Sequence, residues 1–204
     1  MPVNADKKLL FVHIPKCAGT TIEEAFNMPN KESIQNIDNK EPGHLVSTTH
    51  LKASELIKKL GDVTDYYKFT IVRNPFDRLV SAFYQIQRNA YAPQKVKDMK
   101  FGQFVRYIKT IDPIERCYVF DGHLETQSSF IDIDDINVFK YESLQACFDF
   151  LNSNYGPVTF DHALKSDNKK NYKLYFDDIT QQIVQNMYSV DFERFDYSTQ
   201  PYNP

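Results

Sequence analysis

Apolar positions along the 204-residue chain fall into two kinds of run, short unbroken blocks and longer stretches spaced three and four apart. Leu9-Leu10-Phe11-Val12-His13-Ile14, closed by Pro15, predicts a strand over 9–14 buried on both faces of a parallel sheet. From Thr20 the spacing turns helical, with Ile22, Ala25 and Phe26 on one side and Glu23 and Glu24 on the other. Residues 27–47 are polar and broken by Pro29, Pro42 and Gly43, which reads as a surface excursion. A second helix follows over Ala53–Leu60, stopped by Gly61, and Tyr67–Val72 reads as another strand.

Arg73-Asn74-Pro75 ends that strand, and it also starts a helix: Asn74 suits the N-cap, Pro75 the first turn and Asp77 the positive helix end. Leu79, Val80, Phe83 and Ile86 give this helix a buried stripe. Further helices are expected near 101–111, 142–152 and 179–188, and a strand over Asn137–Lys140. The segments 88–100 and 153–173, polar and punctuated by Pro93, Gly156 and Pro157, are expected to be the mobile loops. Strands alternating with helices, without a repeat or a dividing linker, predict one α/β domain over 1–204: a central, mainly parallel sheet flanked by helices.

Composition narrows the function. A net charge of −3 argues against a general nucleic-acid binder, which would carry a basic excess. Cys17, Cys117 and Cys147 are odd in number and form no C-x-x-C pair, so neither a disulfide framework nor a zinc site is indicated. No apolar run approaches the roughly 20 residues a bilayer crossing needs, and residues 1–6 do not read as a signal peptide. A soluble protein of a reducing compartment, the cytoplasm, is the expectation; oligomeric state is not legible.

Two segments carry candidate chemistry. Pro15-Lys16-Cys17-Ala18-Gly19-Thr20-Thr21 sets a lysine, small residues and two hydroxyls between a buried strand and a helix start. Free backbone N–H groups and the positive helix end attract an anion there, Gly19 permits close backbone approach, and Lys16 adds a full charge. The order differs from G-x-x-x-x-G-K-[ST], because Lys16 precedes Gly19 and no glycine opens the loop. Equally, Thr20 or Thr21 caps the helix, with Glu23 or Glu24 completing a capping box. In the second segment, Arg73 stands at a strand's C-terminal edge, where ligands of open α/β sheets bind, and Ser81 lies two turns into the next helix. Arginine offers a planar fork to phosphate oxygens. Arg78 is expected to form a structural ion pair with an acidic neighbour.

In order and spacing, 13–21 and 73–81 together resemble the sulfotransferase superfamily, whose members use 3'-phosphoadenosine 5'-phosphosulfate (PAPS). The likeness is particularly to its carbohydrate O-sulfotransferase-like branch, sulfotransferase family 2. Weaker likeness runs through 49–56, Gly122-His123-Leu124-Glu125-Thr126-Gln127 and 188–193, covering nearly the whole chain; Thr126 stands where the family usually has proline. The resemblance implies a P-loop-like sulfotransferase fold. It also implies that Lys16, Cys17, Ala18, Gly19, Thr20 and Thr21 hold the 5'-phosphosulfate and that Arg73 and Ser81 hold the 3'-phosphate. On this reading the product is 3'-phosphoadenosine 5'-phosphate (PAP), and the acceptor is a hydroxyl on a carbohydrate or small molecule. Lys16 then stabilises the leaving phosphate, and no metal is expected.

The acceptor proton requires a base, for which histidine is suited. His50, ahead of the second helix and in the region of the family's catalytic histidine, is the candidate, with His44 as competitor. His123 is assigned to the acceptor, His13 to a hydrogen-bonded core position and His162 to a surface loop. Lys169 or Lys170 is a candidate for a basic loop closing over the nucleotide. Two other readings stay open: a P-loop-type ATP-dependent kinase, and a non-catalytic nucleotide- or sulfoglycan-binding module of the same fold.

Overall fold

The computed structural model describes residues 2–28, 50–90, 92–156 and 172–201. In chain order the strands are β1 (Val3–Asn4), β2 (Leu9–Val12), β3 (Tyr67–Val72) and β4 (Asn137–Lys140). The helices are α1 (Gly19–Ala25), α2 (Ala53–Leu60), α3 (Pro75–Arg88), α4 (Gln94–Lys97), α5 (Phe101–Ile108), α6 (Pro113–Val119), α7 (Leu144–Tyr155), α8 (Asp178–Met187) and α9 (Ser189–Arg194). One sheet of order β1-β2-β3-β4 forms, in which β2, β3 and β4 run parallel and only the short β1 is antiparallel.

Local signals explain the elements that the sequence placed correctly. Every residue of β2 is buried, as expected for a strand covered on both faces. The Asn74 side chain accepts from Phe76 N at 3.0 Å, and Pro75 occupies the first turn of α3. Strand β2 stops at Val12 rather than at Ile14, because Ile14 N already bonds back to Val12 O in a turn. The expected helix at 142–152 begins at Leu144 after a 3-10 turn over Tyr141–Ser143. Glu142 is drawn away there: its carboxylate accepts from Asn74 N (2.7 Å) and Tyr197 Oη (2.8 Å). Within 88–100, α4 is ordered helix; 157–171 lie outside the described residues.

Two apolar cores result. One packs β2 and β3 against α1, α2 and α7; the other gathers α5, α8 and α9 around the apolar stripe of α3. The three parallel strands end on the same side of the sheet. The residues that follow them, Lys16 after β2, Arg73 after β3 and Tyr141 after β4, therefore meet in one cleft.

Candidate functional site

That cleft has a volume of about 550 Å³. The loop after β2 lines it, and there Lys16 (φ 68°) and Ala18 (φ 63°) both adopt left-handed backbone. Helix α1 then starts at Gly19 with Ala18 as N-cap and no side-chain cap bond. The expected capping box is thus absent, for a physical reason: Glu23 is taken by His13, whose Nδ1 lies 2.7 Å from Glu23 Oε1. Thr20 and Thr21 line the cleft instead.

Gly19 is needed for a closer approach than the one anticipated. A Cβ there would sit 2.1 Å from His13 Nε2, so the glycine admits the His13 ring over the loop. His13 is buried and hydrogen-bonded, yet it also lines the cleft. Cys17 does not line it: the side chain is buried in the sheet core, the backbone N–H bonds to Ile14 O, and burial pushes the thiol up to about 12. The Cys17 side chain thus packs in the core, beneath the loop to which the residue belongs.

Lys16 and Arg73 share the cleft as two cations. Among the described residues, Lys16 Nζ reaches only Gln85 Oε1, at 3.4 Å. Burial, and then repulsion from Arg73, lowers its pKa from the ordinary lysine value. Arg73 Nη2 donates to Asp77 Oδ1 (2.7 Å) and Nη1 to Lys16 O (3.1 Å), its guanidinium lies 4.1 Å from the Tyr141 ring centroid, and its buried Nε has no hydrogen-bond partner among the described residues. The guanidinium thus holds the Lys16 loop while keeping donors in reserve. Ser81 and Gln85, one turn apart on α3, complete this wall. Gln85 and Tyr141 were missed from the sequence; the i+4 spacing of Gln85 from Ser81 was the available signal.

The opposite wall is a row of imidazoles. The His50 ring packs edge-on between His13 (centroids 4.8 Å apart) and His123 (5.2 Å). Its Nδ1 is 3.5 Å from His13 O and its Nε2 is 3.9 Å from Asp121 Oδ2. Burial first, then neighbouring His13 and His123, holds the His50 pKa well below the ordinary histidine value. His123 Nδ1 faces Phe120 O (3.0 Å) and Asp121 O (3.2 Å), and burial brings its pKa down to about 4. Both rings are neutral at pH 7 and able to accept a proton. His44, His162, Lys169 and Lys170 lie outside the described residues.

The remaining likeness segments hold the site together. Gln127, fully buried, accepts from Arg73 N and donates to Arg73 O, and its Oε1 also takes the Cys17 thiol at 3.3 Å. Asp191 in turn accepts from Gln127 N and Ser128 N, and Tyr188 Oη donates to Leu124 O. Arg78 forms no ion pair among the described residues, against expectation. It is 2% exposed and donates to three carbonyls, those of Pro15 (3.0 Å), Glu125 (2.7 Å) and His123 (3.4 Å). It thus ties the lysine loop to the histidine wall. Arg78→Met removes the guanidinium donors from all three carbonyls, for an expected loss of about 3 kcal/mol. Thermal denaturation should register this as a fall of roughly 10 °C in Tm; an unchanged Tm would deny Arg78 this role.

These features define an α/β protein with a cleft at the C-terminal edge of parallel strands, lined by Lys16 and Arg73 and by the histidines His13, His50 and His123. The model of the sulfotransferase family matches residues 1–198, and the chain belongs to that family. No curated protein and no solved structure gives a significant match. No helix among the described residues is long and apolar enough to cross a membrane.

Proposed function

We propose that the chain transfers a sulfuryl group from PAPS to an acceptor hydroxyl on a carbohydrate or small molecule. The observation that carries this reading is the pairing of Lys16 with Arg73: two partly buried cations repel each other across a cleft lined by the hydroxyl residues Thr20, Thr21 and Ser81. Such a site gains most from a ligand with negative charge at two places, as a 3',5'-substituted nucleotide has. Arg73 and Ser81 receive the 3'-phosphate. Lys16, the loop amides and the threonine hydroxyls receive the 5'-phosphosulfate.

The donor supplies an activated sulfuryl group whose sulfur–oxygen bond to the 5'-phosphate breaks as the acceptor oxygen bonds to sulfur. Lys16 neutralises charge growing on the leaving phosphate. His50, neutral at physiological pH, takes the acceptor's proton on Nε2. His123 flanks it on the acceptor side.

Incubation with 35S-labelled PAPS and a panel of glycans, phenols and alcohols should yield a labelled acceptor together with unlabelled PAP. Label remaining wholly in PAPS or inorganic sulfate across the panel would count against transfer. Arg73→Ala should weaken PAP roughly 10–100-fold by calorimetry, as loss of a charge-assisted pair implies, with little change for adenosine 5'-monophosphate. The same variant strips Asp77 of its guanidinium and Lys16 O of a donor, so it also loses thermal stability. Unchanged PAP affinity would remove Arg73 from the 3'-phosphate.

A further inference from the structure

The geometry points to a second ligand for the histidine wall: His50, Asp121 and His123 form a three-ligand site for a divalent transition metal, typified by Zn2+, which shuts the enzyme off. One ligand atom from each of the three residues lies within 4.8 Å of the other two. Donors about 2.0–2.1 Å from tetrahedral zinc sit about 3.3 Å apart, so side-chain rotations closing the set by about 1.5 Å at most would seat the ion. Two imidazoles and one carboxylate, with a coordination position left over, are a donor set that zinc accepts and magnesium does not.

The outer contacts fit this assignment. A ligating histidine normally donates its other ring N–H to a carbonyl or carboxylate, which fixes the tautomer and aims the lone pair. His123 Nδ1 faces the carbonyls of Phe120 and Asp121, and His50 Nδ1 faces that of His13. Nε2 is therefore the ligating atom on both rings, and on His50 it already lies 3.9 Å from Asp121 Oδ2. Asp121 and Gly122 are consecutive left-handed residues (φ 49° and 69°), a sharp turn that brings carboxylate and His123 to the same side. His13 stays out of the set, since its Nδ1 is held by Glu23 and its Nε2 faces Gly19.

The inhibitory consequence rests on the proposed sulfuryl transfer. Zinc would occupy the His50 Nε2 lone pair that must receive the acceptor's proton, so metal and turnover exclude each other.

Calorimetric titration of the tag-free, EDTA-dialysed chain with ZnCl2 tests the site without reference to activity. Wild type should bind zinc saturably and magnesium not at all. Asp121→Asn and His123→Gln should each weaken zinc at least about tenfold, the loss that even outer contacts of a metal site can cause. Asn tolerates left-handed backbone better than most residues, so Asp121→Asn keeps the turn, with circular dichroism as the check. No saturable zinc binding, or variants that bind as tightly as wild type, overturns the site. Transfer assays across the same titration should lose turnover in proportion to zinc occupancy. Full turnover at saturating zinc overturns inhibition. A chain that never transfers sulfate refutes the proposed activity instead, and leaves the site to the calorimetry.

Discussion

His50→Gln lowers kcat by about 10²–10⁴-fold, the range removed with a positioned general base, while PAP affinity stays close to wild type. Gln keeps polar contact with the walls of the ring's slot but accepts no proton at neutral pH. The pH profile gives the same residue a second signature. His50 is held well below the ordinary histidine value by burial and by two imidazole neighbours, and the form that works is the neutral one. Turnover is therefore maintained as pH falls through 6.5, and the acid limb of kcat/KM lies below that. The limb disappears in His50→Gln. Because a proton and a metal ion compete for one lone pair, the profile belongs in EDTA. An acid limb at or above pH 6.5, or one unchanged in the variant, would remove His50 as the base.

Lys16→Ala costs about 10²–10³-fold in kcat, comparable to removing one preorganised donor from a developing anion, and costs much less in PAP binding. The asymmetry follows from where the charge grows. In the proposed mechanism Arg73, Ser81 and the loop amides hold the nucleotide in ground and transition states alike, whereas Lys16 gains most as the phosphate takes on charge. Lys16→Met, which keeps an unbranched apolar stem without the charge, should behave like the alanine variant. Single-turnover rates with saturating PAPS check this directly. Wild-type rates in either variant would place Lys16 outside the chemistry.

What the sequence made legible was local. Helix α2, strands β3 and β4, and the Asn74-Pro75 start of α3 lie where the sequence pattern puts them, because periodicity and caps act within a few residues. Lys16, Thr20, Thr21, Arg73, Ser81, His50 and His123 all line one cleft. Failures came where a side chain answered to a distant partner. Glu23 left its capping role for His13, Glu142 left its helix for Asn74 and Tyr197, and Arg78 chose carbonyls 45 to 63 residues away over an acidic neighbour. Asp121 went unnoticed because only the turn after α6 brings it to His50. Topology, not pattern, decides such contacts.

The central claim is that Lys16 and Arg73 grip opposite ends of one doubly substituted nucleotide. Titrating the wild-type chain with PAP and with adenosine 5'-monophosphate in the same buffer tests it most directly. PAP should bind at least about tenfold more tightly, the worth of one charge-assisted contact to the 3'-phosphate. Equal affinity for the two nucleotides, or heat from neither, would contradict it.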